Sequence, residues 1–465
     1  MKRWIAIVLA CALAFGTVSA LGEEGTYRYD IDFRFEMDSQ AYPFRLREHM
    51  RGYEELLEIL ELRGSVIWSP RFDGFNIRTE LIPLTDPSAS IPLRIFGRPS
   101  DVCIDTELLG DEPYFLGNTH MLMAFASQFW LATGVPLPSL GLLNPFLAIY
   151  ATKNEAAAWT STVPEIRKGT RITAKQLQKV CDAWKELLQT DEDFLLWLDG
   201  FYAQMNYPTL LEETLQELPD VLVNAAGGKD LTVTEEDGIL VCRNAAGMVI
   251  FRMKTGEDDR FVEFAPENTG TAYTPYFRYS VRTEGGKREL ALQVSLSRSA
   301  DDEEERMLPD TLLYFSMEIS GIPEVFPGET ELTANVAAGG AALPETKLRI
   351  ALHMTADGET EILVTDPETD GEAKPLFRAY GTVTPVEYDS EQEGYIIYEY
   401  DEIAHYPRLL VASYKTIGEL SDSIVPVFIR RVIDFLSALP VRACQSIMDD
   451  LENTGLMEPI LSGMH

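Results

Sequence analysis

A stretch of forty residues without a charged side chain, residues 113–152, constrains this chain most, because the whole protein carries a formal net charge of -35. So much apolar surface has to be removed from water when the chain folds. A membrane-spanning helix needs about 20 consecutive apolar residues. Here polar side chains and three prolines, Pro136, Pro138 and Pro145, interrupt the run. We therefore expect no transmembrane span in the mature chain.

Two interpretations of this stretch remain. The first is a buried helical hairpin, with one helix near residues 119–133, a turn over residues 134–138 and a second helix from Pro145, since an uncharged helix that is apolar all round belongs in a core. The second is that part of the stretch lines a cavity for an apolar ligand or docks on a lipid surface. The candidate lining residues of such a cavity are Met121, Phe125, Phe129 and Trp130.

The first twenty residues have the pattern of a secretory signal peptide. Lys2 and Arg3 form a positive start, an apolar run follows, and residues 18–20 (Val-Ser-Ala) supply the small side chains that signal peptidase requires. The sequence therefore predicts a secreted protein. The alternative is a membrane-anchored lipoprotein, because residues 8–11 end at Cys11 in a pattern similar to a lipoprotein box.

Charge and composition exclude several classes of protein. A strongly acidic surface repels nucleic acid and anionic membranes, so neither is expected as a partner. Hydrophobic residues make up 46% of the chain, which is too many for a disordered protein. The 465 residues exceed what one core usually supports, so two domains are expected, over residues 21–228 and 229–465.

No metal site or cofactor is predicted. The four cysteines of the mature chain, Cys103, Cys181, Cys242 and Cys444, are far apart in sequence, and their disulfide pairing is left open. Residues 366–371 resemble the first half of a calcium-binding loop. The glutamate that such a loop needs at position twelve is replaced by Phe377, so a hairpin turn is favoured.

Hydrophobic periodicity predicts an α+β fold. Residues 27–37 alternate between apolar and charged side chains, as in a strand with one buried face, and residues 173–189 repeat apolar side chains at helical spacing, with Thr173 as a cap. From about residue 230, alternating segments are joined by charged turns, which is typical of an antiparallel meander. We therefore expect a large antiparallel meander packed with helices, including C-terminal ones, preceded by a mixed, helix-rich N-terminal half.

The sequence indicates no specific activity, since it contains no nucleophile elbow, P-loop or dinucleotide fingerprint. The first hypothesis is a non-enzymatic, exported protein that binds or carries an apolar small molecule or another ligand of the cell envelope. The second is a secreted hydrolase whose mark would be two facing carboxylates, at least one of them desolvated. The third is a structural interaction module at the cell surface, marked by an exposed apolar patch.

Overall fold

A computed structural model gives the fold of this chain. It describes the following residues: 26–42, 44–69, 74–98, 101–108, 110, 113–117, 165–190, 206–256, 258–267, 269–299, 309–323, 329–343, 345–367, 375–388, 405–406 and 421–453. The predicted signal peptide, Cys11 and most of the uncharged stretch, with Met121, Phe125, Phe129 and Trp130, lie outside these ranges.

The described residues form mostly one large antiparallel sheet of 18 strands. The strands are β1 (Tyr27–Glu36), β2 (Leu60–Ser69), β3 (Gly74–Pro83), β4 (Ile91–Arg98), β5 (Asp101–Thr106), β6 (Tyr114–Gly117), β7 (Arg171–Ile172), β8 (Leu231–Glu236), β9 (Ile239–Arg243), β10 (Val249–Lys254), β11 (Asp259–Phe264), β12 (Tyr273–Glu284), β13 (Lys287–Arg298), β14 (Thr311–Pro323), β15 (Thr330–Gly339), β16 (Thr346–Met354), β17 (Glu359–Thr365) and β18 (Phe377–Val386). The α-helices of the described residues are α1 (Arg47–Glu58), α2 (Ala174–Thr190), α3 (Pro208–Ala226), α4 (Ser421–Ser437) and α5 (Val441–Asn453).

The prediction of a helix-rich N-terminal half is wrong. Up to residue 228 the described chain forms the seven strands β1–β7, and the antiparallel meander is not confined to the residues after 229. Two short strands are expected from the sequence near residues 93–96 and 102–108, and the structure has them as β4 and β5. Together with β3 they pair across short connections and extend the sheet, so strand pairing and not helix packing dominates this part of the described chain.

Several local predictions are confirmed. β1 has the predicted alternation. Residues 65–69 and 75–81 flank Asp73-Gly74, a strong turn signal that predicts a hairpin, and β2 and β3 pair there in continuous antiparallel register. Helix α2 starts after Thr173, as predicted. The backbone N–H of Gln176 donates to Thr173 Oγ1 over 3.3 Å, and the backbone N–H of Thr173 donates to Gln176 Oε1 over 2.8 Å. This reciprocal pair satisfies two backbone donors that a helix start otherwise leaves without partners.

Two compact units are present. Unit 1 comprises Met1–Val135, Pro323–Thr333 and Arg349–His465, and unit 2 comprises Pro136–Ile322 and Ala334–Leu348. The division into independently folding domains 21–228 and 229–465 stays a prediction.

Unit 1 is organised around β1. This strand pairs with β18 on one side and β2 on the other; the ladder continues through β17 to β16 beyond β18, and through β3, β4 and β5 to β6 beyond β2. Tyr29, Ile31, Phe33 and Phe35 of β1 are buried in one hydrophobic cluster with side chains of α1 and α5. Because side chains alternate along a strand, the intervening residues of β1 belong to the opposite face.

Unit 2 contains a second antiparallel ladder, in which β7 to β13 pair in chain order. Helices α2 and α3 pack together, and side chains of both join a buried cluster with β8, β9 and β10. Leu177 of α2, Ala225 of α3 and Leu231 of β8 are buried in this cluster. The apolar side of α2 is therefore core.

Candidate functional site

The face of unit 1 opposite the α1 and α5 helices carries rows of polar side chains. In one row, Thr384 of β18, Asp30 of β1, Ser65 of β2 and Arg78 of β3 are successive neighbours by strand register. In the next row, the same four strands in the same order contribute Thr382, Asp32, Arg63 and Glu80. These rows exist only because β18 pairs with β1 from the far end of the chain.

An open cleft of about 930 Å³ lies over these rows. Four arginines and four carboxylates line it, so its formal charges cancel in a protein that is otherwise strongly acidic. Six serine and threonine hydroxyls contribute to the lining. The polar lining residues are Arg28, Arg63, Arg78, Arg431, Asp30, Asp32, Glu80, Glu107, Ser65, Ser88, Ser90, Thr79, Thr382 and Thr384.

Most of the charges in this cleft are paired with each other. Arg28 Nη2 lies 3.0 Å from Asp30 Oδ1, and Arg63 Nε lies 3.5 Å from Asp32 Oδ2. Arg431 of α4 is in contact with Glu107. These pairs order the side chains around the cleft, although exposed pairs of this kind add little to stability.

Glu61 is a buried carboxylate on the same face, one register step beyond the Asp32–Arg63 row. Its side chain is 1% exposed and pairs with Arg34 over 3.3 Å, while Arg63 also contacts its Oε1 atom. Within the described residues Oε1 has no hydrogen-bond partner, since the contact from Arg63 lacks hydrogen-bond geometry. Arg63 therefore lies between two carboxylates, Asp32 and Glu61, and Arg34 provides the second positive charge beside Glu61.

Arg78 differs from the other three arginines of the cleft. It is exposed, and its guanidinium has no hydrogen bond or ion pair with any part of the chain that the structure describes. Its register neighbour on β4, Arg94, is engaged elsewhere: the Arg94 guanidinium lies 4.2 Å from the centre of the Phe96 ring, and its Nε donates to Asn76 Oδ1 over 3.1 Å. The cleft thus presents one guanidinium whose donors are available to a ligand.

A second, smaller concavity of about 520 Å³ adjoins the cleft and shares Arg28 with it. Tyr27, Tyr29 and Tyr388 contribute to its lining. The Tyr27 ring stacks on Trp68 of β2, with ring centres 6.4 Å apart. Burial raises the pKa of the Tyr29 phenol to about 12, so this tyrosine stays protonated at neutral pH.

The chemistry that this lining supports is hydrogen bonding and charge pairing. The residues that the structure places around the cleft include no histidine, lysine, cysteine or tyrosine, so its serine hydroxyls have no neighbouring base of the usual kind. The buried acid that would mark a hydrolase, Glu61, is paired with Arg34 and Arg63 and does not line the cleft.

The predicted site residues are not part of this cleft. Met121, Phe125, Phe129 and Trp130 lie outside the described residues, and of the calcium-like loop only Asp366 and Pro367 are described. No group of three or more potential metal ligands occurs among the described residues. Cys103, Cys181, Cys242 and Cys444 are all free thiols in the structure, and the first three are buried.

The sequence contained one signal for the cleft, which is the charged side of β1. Arg28, Asp30 and Asp32 were expected on the wet face of a strand, and they line the cleft. The missing information was which arginines of β2 and β3 lie beside them, because that depends on strand register.

None of the described helices is long and apolar enough to cross a membrane. No protein-family model matches this sequence, and no curated protein matches it either.

Proposed function

We propose that this chain is an exported, non-enzymatic binding protein that holds a polar ligand of the cell envelope in the cleft of unit 1. The observation that carries the proposal is the cleft itself, an open, hydroxyl-rich and charge-balanced concavity of about 930 Å³. Small-molecule sites in proteins commonly have volumes of roughly 300–1,000 Å³. The lining of this cleft is mostly charged and hydroxylated, which indicates a polar ligand.

The paired charges support binding more than catalysis. A hydrolase of the two-carboxylate kind needs one acid that holds a proton and one that does not. In the cleft, Asp30, Asp32 and Glu107 each have an arginine partner. An arginine partner holds a carboxylate in a fixed position, which suits a binding surface.

The ligand supported by this cleft is more polar than the apolar molecule expected from the uncharged stretch. That earlier hypothesis stays a prediction, since Met121, Phe125, Phe129 and Trp130 lie outside the described residues. Secretion, with lipid anchoring through Cys11 as the alternative, also stays a prediction.

Native mass spectrometry of the protein after incubation with a pool of soluble envelope fragments tests the proposal. Thr384→Trp fills the exposed end of the Thr384–Arg78 row, and Thr232→Trp places the same bulk on an exposed position of β8 in unit 2 as a control. The expected result is a bound mass on the wild type and on Thr232→Trp that is lost on Thr384→Trp.

Two results would contradict the proposal. Equal retention by both tryptophan variants would show that the ligand binds elsewhere. A released fragment of lower mass than the one added would show bond cleavage and would favour the hydrolase hypothesis.

A further inference from the structure

We propose that the ligand of the cleft is a sugar that carries an oxyanion, either a carboxylate or a phosphate, and that Arg78 is the residue that recognises this oxyanion. The inference rests on the proposed binding function and adds the chemical class of the ligand. Three observations lead to it: the available guanidinium, the row of free hydroxyls beside it, and the length of that row.

Arg78 provides the anion site. Among the four arginines of the cleft, Arg28, Arg63 and Arg431 are paired with carboxylates, whereas Arg78 has no partner within the described residues. A guanidinium presents parallel N–H donors that match the two oxygens of a carboxylate or phosphate. The neighbouring Arg94 does not compete for this role, since its guanidinium pairs with Asp105 over 4.0 Å and its Nε donates to Asn76 Oδ1.

Hydroxyl groups extend from this anion site across the sheet. Ser65, Thr382 and Thr384 line the cleft, and their side-chain hydroxyls have no hydrogen-bond partner in the part of the chain that the structure describes. Each hydroxyl can donate one hydrogen bond and accept others, as the hydroxyls of a sugar can. Asp30, which lies between Ser65 and Thr384 in the row, is an acceptor that is already held in place by Arg28.

The spacing of the row fits a sugar of one or two rings. Thr384 and Arg78 stand on β18 and β3, with β1 and β2 between them. Three strand spacings of about 4.8 Å separate them by about 14 Å. An oxyanion on Arg78 therefore leaves room for a polyhydroxylated body above Ser65 and Asp30, with Thr384 at its far end.

The net charge of the protein makes the site selective. A chain of formal charge -35 repels free anions over long distances, so an anion is retained only where specific donors bind it. Within the cleft, where four arginines and four carboxylates cancel, Arg78 is the arginine that has no carboxylate partner among the described residues. A small inorganic anion would use that one contact, whereas an acidic sugar would also use the row of hydroxyls.

Isothermal titration with three sugars tests the inference on the full mature chain. Glucuronate carries a carboxylate, glucose 6-phosphate carries a phosphate, and glucose is the neutral control. The variants are Arg78→Gln, Arg78→Lys and, as a matched control, Arg98→Gln, which removes an exposed arginine at the end of β4 outside the cleft lining. Because Arg78 is exposed, its replacement should leave the fold intact.

At least one acidic sugar is expected to bind the wild type and Arg98→Gln with the same affinity. The same sugar should bind Arg78→Gln at least about tenfold more weakly, which is the change expected for loss of a pair of charge-assisted hydrogen bonds. Arg78→Lys should lie between them, since lysine keeps the charge and loses the planar fork. A preference for glucuronate identifies a carboxylate ligand, and a preference for glucose 6-phosphate identifies a phosphate ligand.

Glucose binding as tightly as both acidic sugars, or Arg78→Gln binding as the wild type does, would overturn the inference and leave the proposed function standing. Failure of all three sugars to bind a protein that retains an envelope ligand in native mass spectrometry would overturn it as well. If the wild type binds no envelope fragment in native mass spectrometry, that result counts against the proposed function instead.

Discussion

Substitution of Gly52 by alanine is expected to destabilise unit 1, although alanine is the better helix former. Gly52 is buried in α1 where this helix crosses α5. A Cβ atom added to Gly52 would lie 2.6 Å from the carbonyl oxygen of Arg442 and closer still to Ser446 Oγ. Since the Arg442 oxygen belongs to the backbone of α5, the clash is relieved only by moving the helices apart.

The magnitude follows from three opposing contributions. Alanine in place of glycine inside a helix is worth about 1 kcal/mol of added stability. Overpacking of a close contact costs about 1–3 kcal/mol. The hydrogen bond from Ser446 Oγ to the carbonyl oxygen of His49, 2.9 Å long, is worth about 1 kcal/mol and is displaced by the same clash. The net expectation is a loss of about 1–3 kcal/mol.

Thermal unfolding followed by circular dichroism measures this loss. For a unit of this size, 1 kcal/mol corresponds to a fall in Tm of about 2–4 °C. The control is Arg51→Ala, an exposed substitution on the same helix, which should change stability by less than about 0.5 kcal/mol.

A double-mutant cycle with Ser446→Gly identifies the cause. Removal of the Ser446 side chain leaves only the Arg442 carbonyl in the way of the new methyl group, so the double variant should lose less stability than the sum of the two single variants. A Gly52→Ala protein that melts at or above the wild-type Tm would refute the reasoning, because helix propensity would then outweigh the packing contact.

Two further predictions concern buried or capping side chains. Burial raises the pKa of the Cys181 thiol from 9.0 to about 11 and that of Cys242 to about 12. The stability that these protonated thiols contribute is complete below pH 9 and is lost as pH rises through the folded-state pKa values. The free energy of unfolding, measured by urea titration between pH 8 and 10.5, should therefore fall more steeply with pH for the wild type than for a Cys181→Ala/Cys242→Ala variant. Equal dependence on pH in the two proteins would contradict this. The Asp230 carboxyl accepts a hydrogen bond from the backbone N–H of Ala174 at the start of α2, over 2.9 Å. This hydrogen bond lowers the pKa of the Asp230 carboxyl, and the neighbouring Arg171 lowers it further. Asp230→Asn should therefore be less stable than the wild type at pH 7, and the difference should shrink as pH falls below 3.8; a constant difference in urea titrations would count against the assignment.

Elements whose partners lie close in sequence were predictable. The β1 alternation, the β2–β3 hairpin and the Thr173 cap each depend on side chains within a few residues or across one short turn. Helix α5 and the charged turn Asp237-Gly238 were predictable for the same reason, and both residues of that turn have positive φ.

Elements set by distant pairing were not predictable. Strand β18 (Phe377–Val386) pairs with β1 (Tyr27–Glu36), although the two strands lie near opposite ends of the described chain. The cleft was missed for the same reason. Arg78 becomes part of a site because β18, some 300 residues later, joins β1 and completes the rows of side chains beside it. No pattern within a short segment of the sequence indicates the register of β18 against β1.

The pairing of β1 with β18 also bears on how the chain is made. During synthesis β1 emerges first and β2 soon after, but one edge of β1 stays unpaired until residues 378–386 appear. Every residue of unit 2 is translated within that interval. An open strand edge with apolar neighbours is a template for wrong pairing and aggregation. The nascent chain therefore has a long period in which its first strand needs protection by a chaperone or by delayed folding, and truncation before residue 378 should yield aggregated chains.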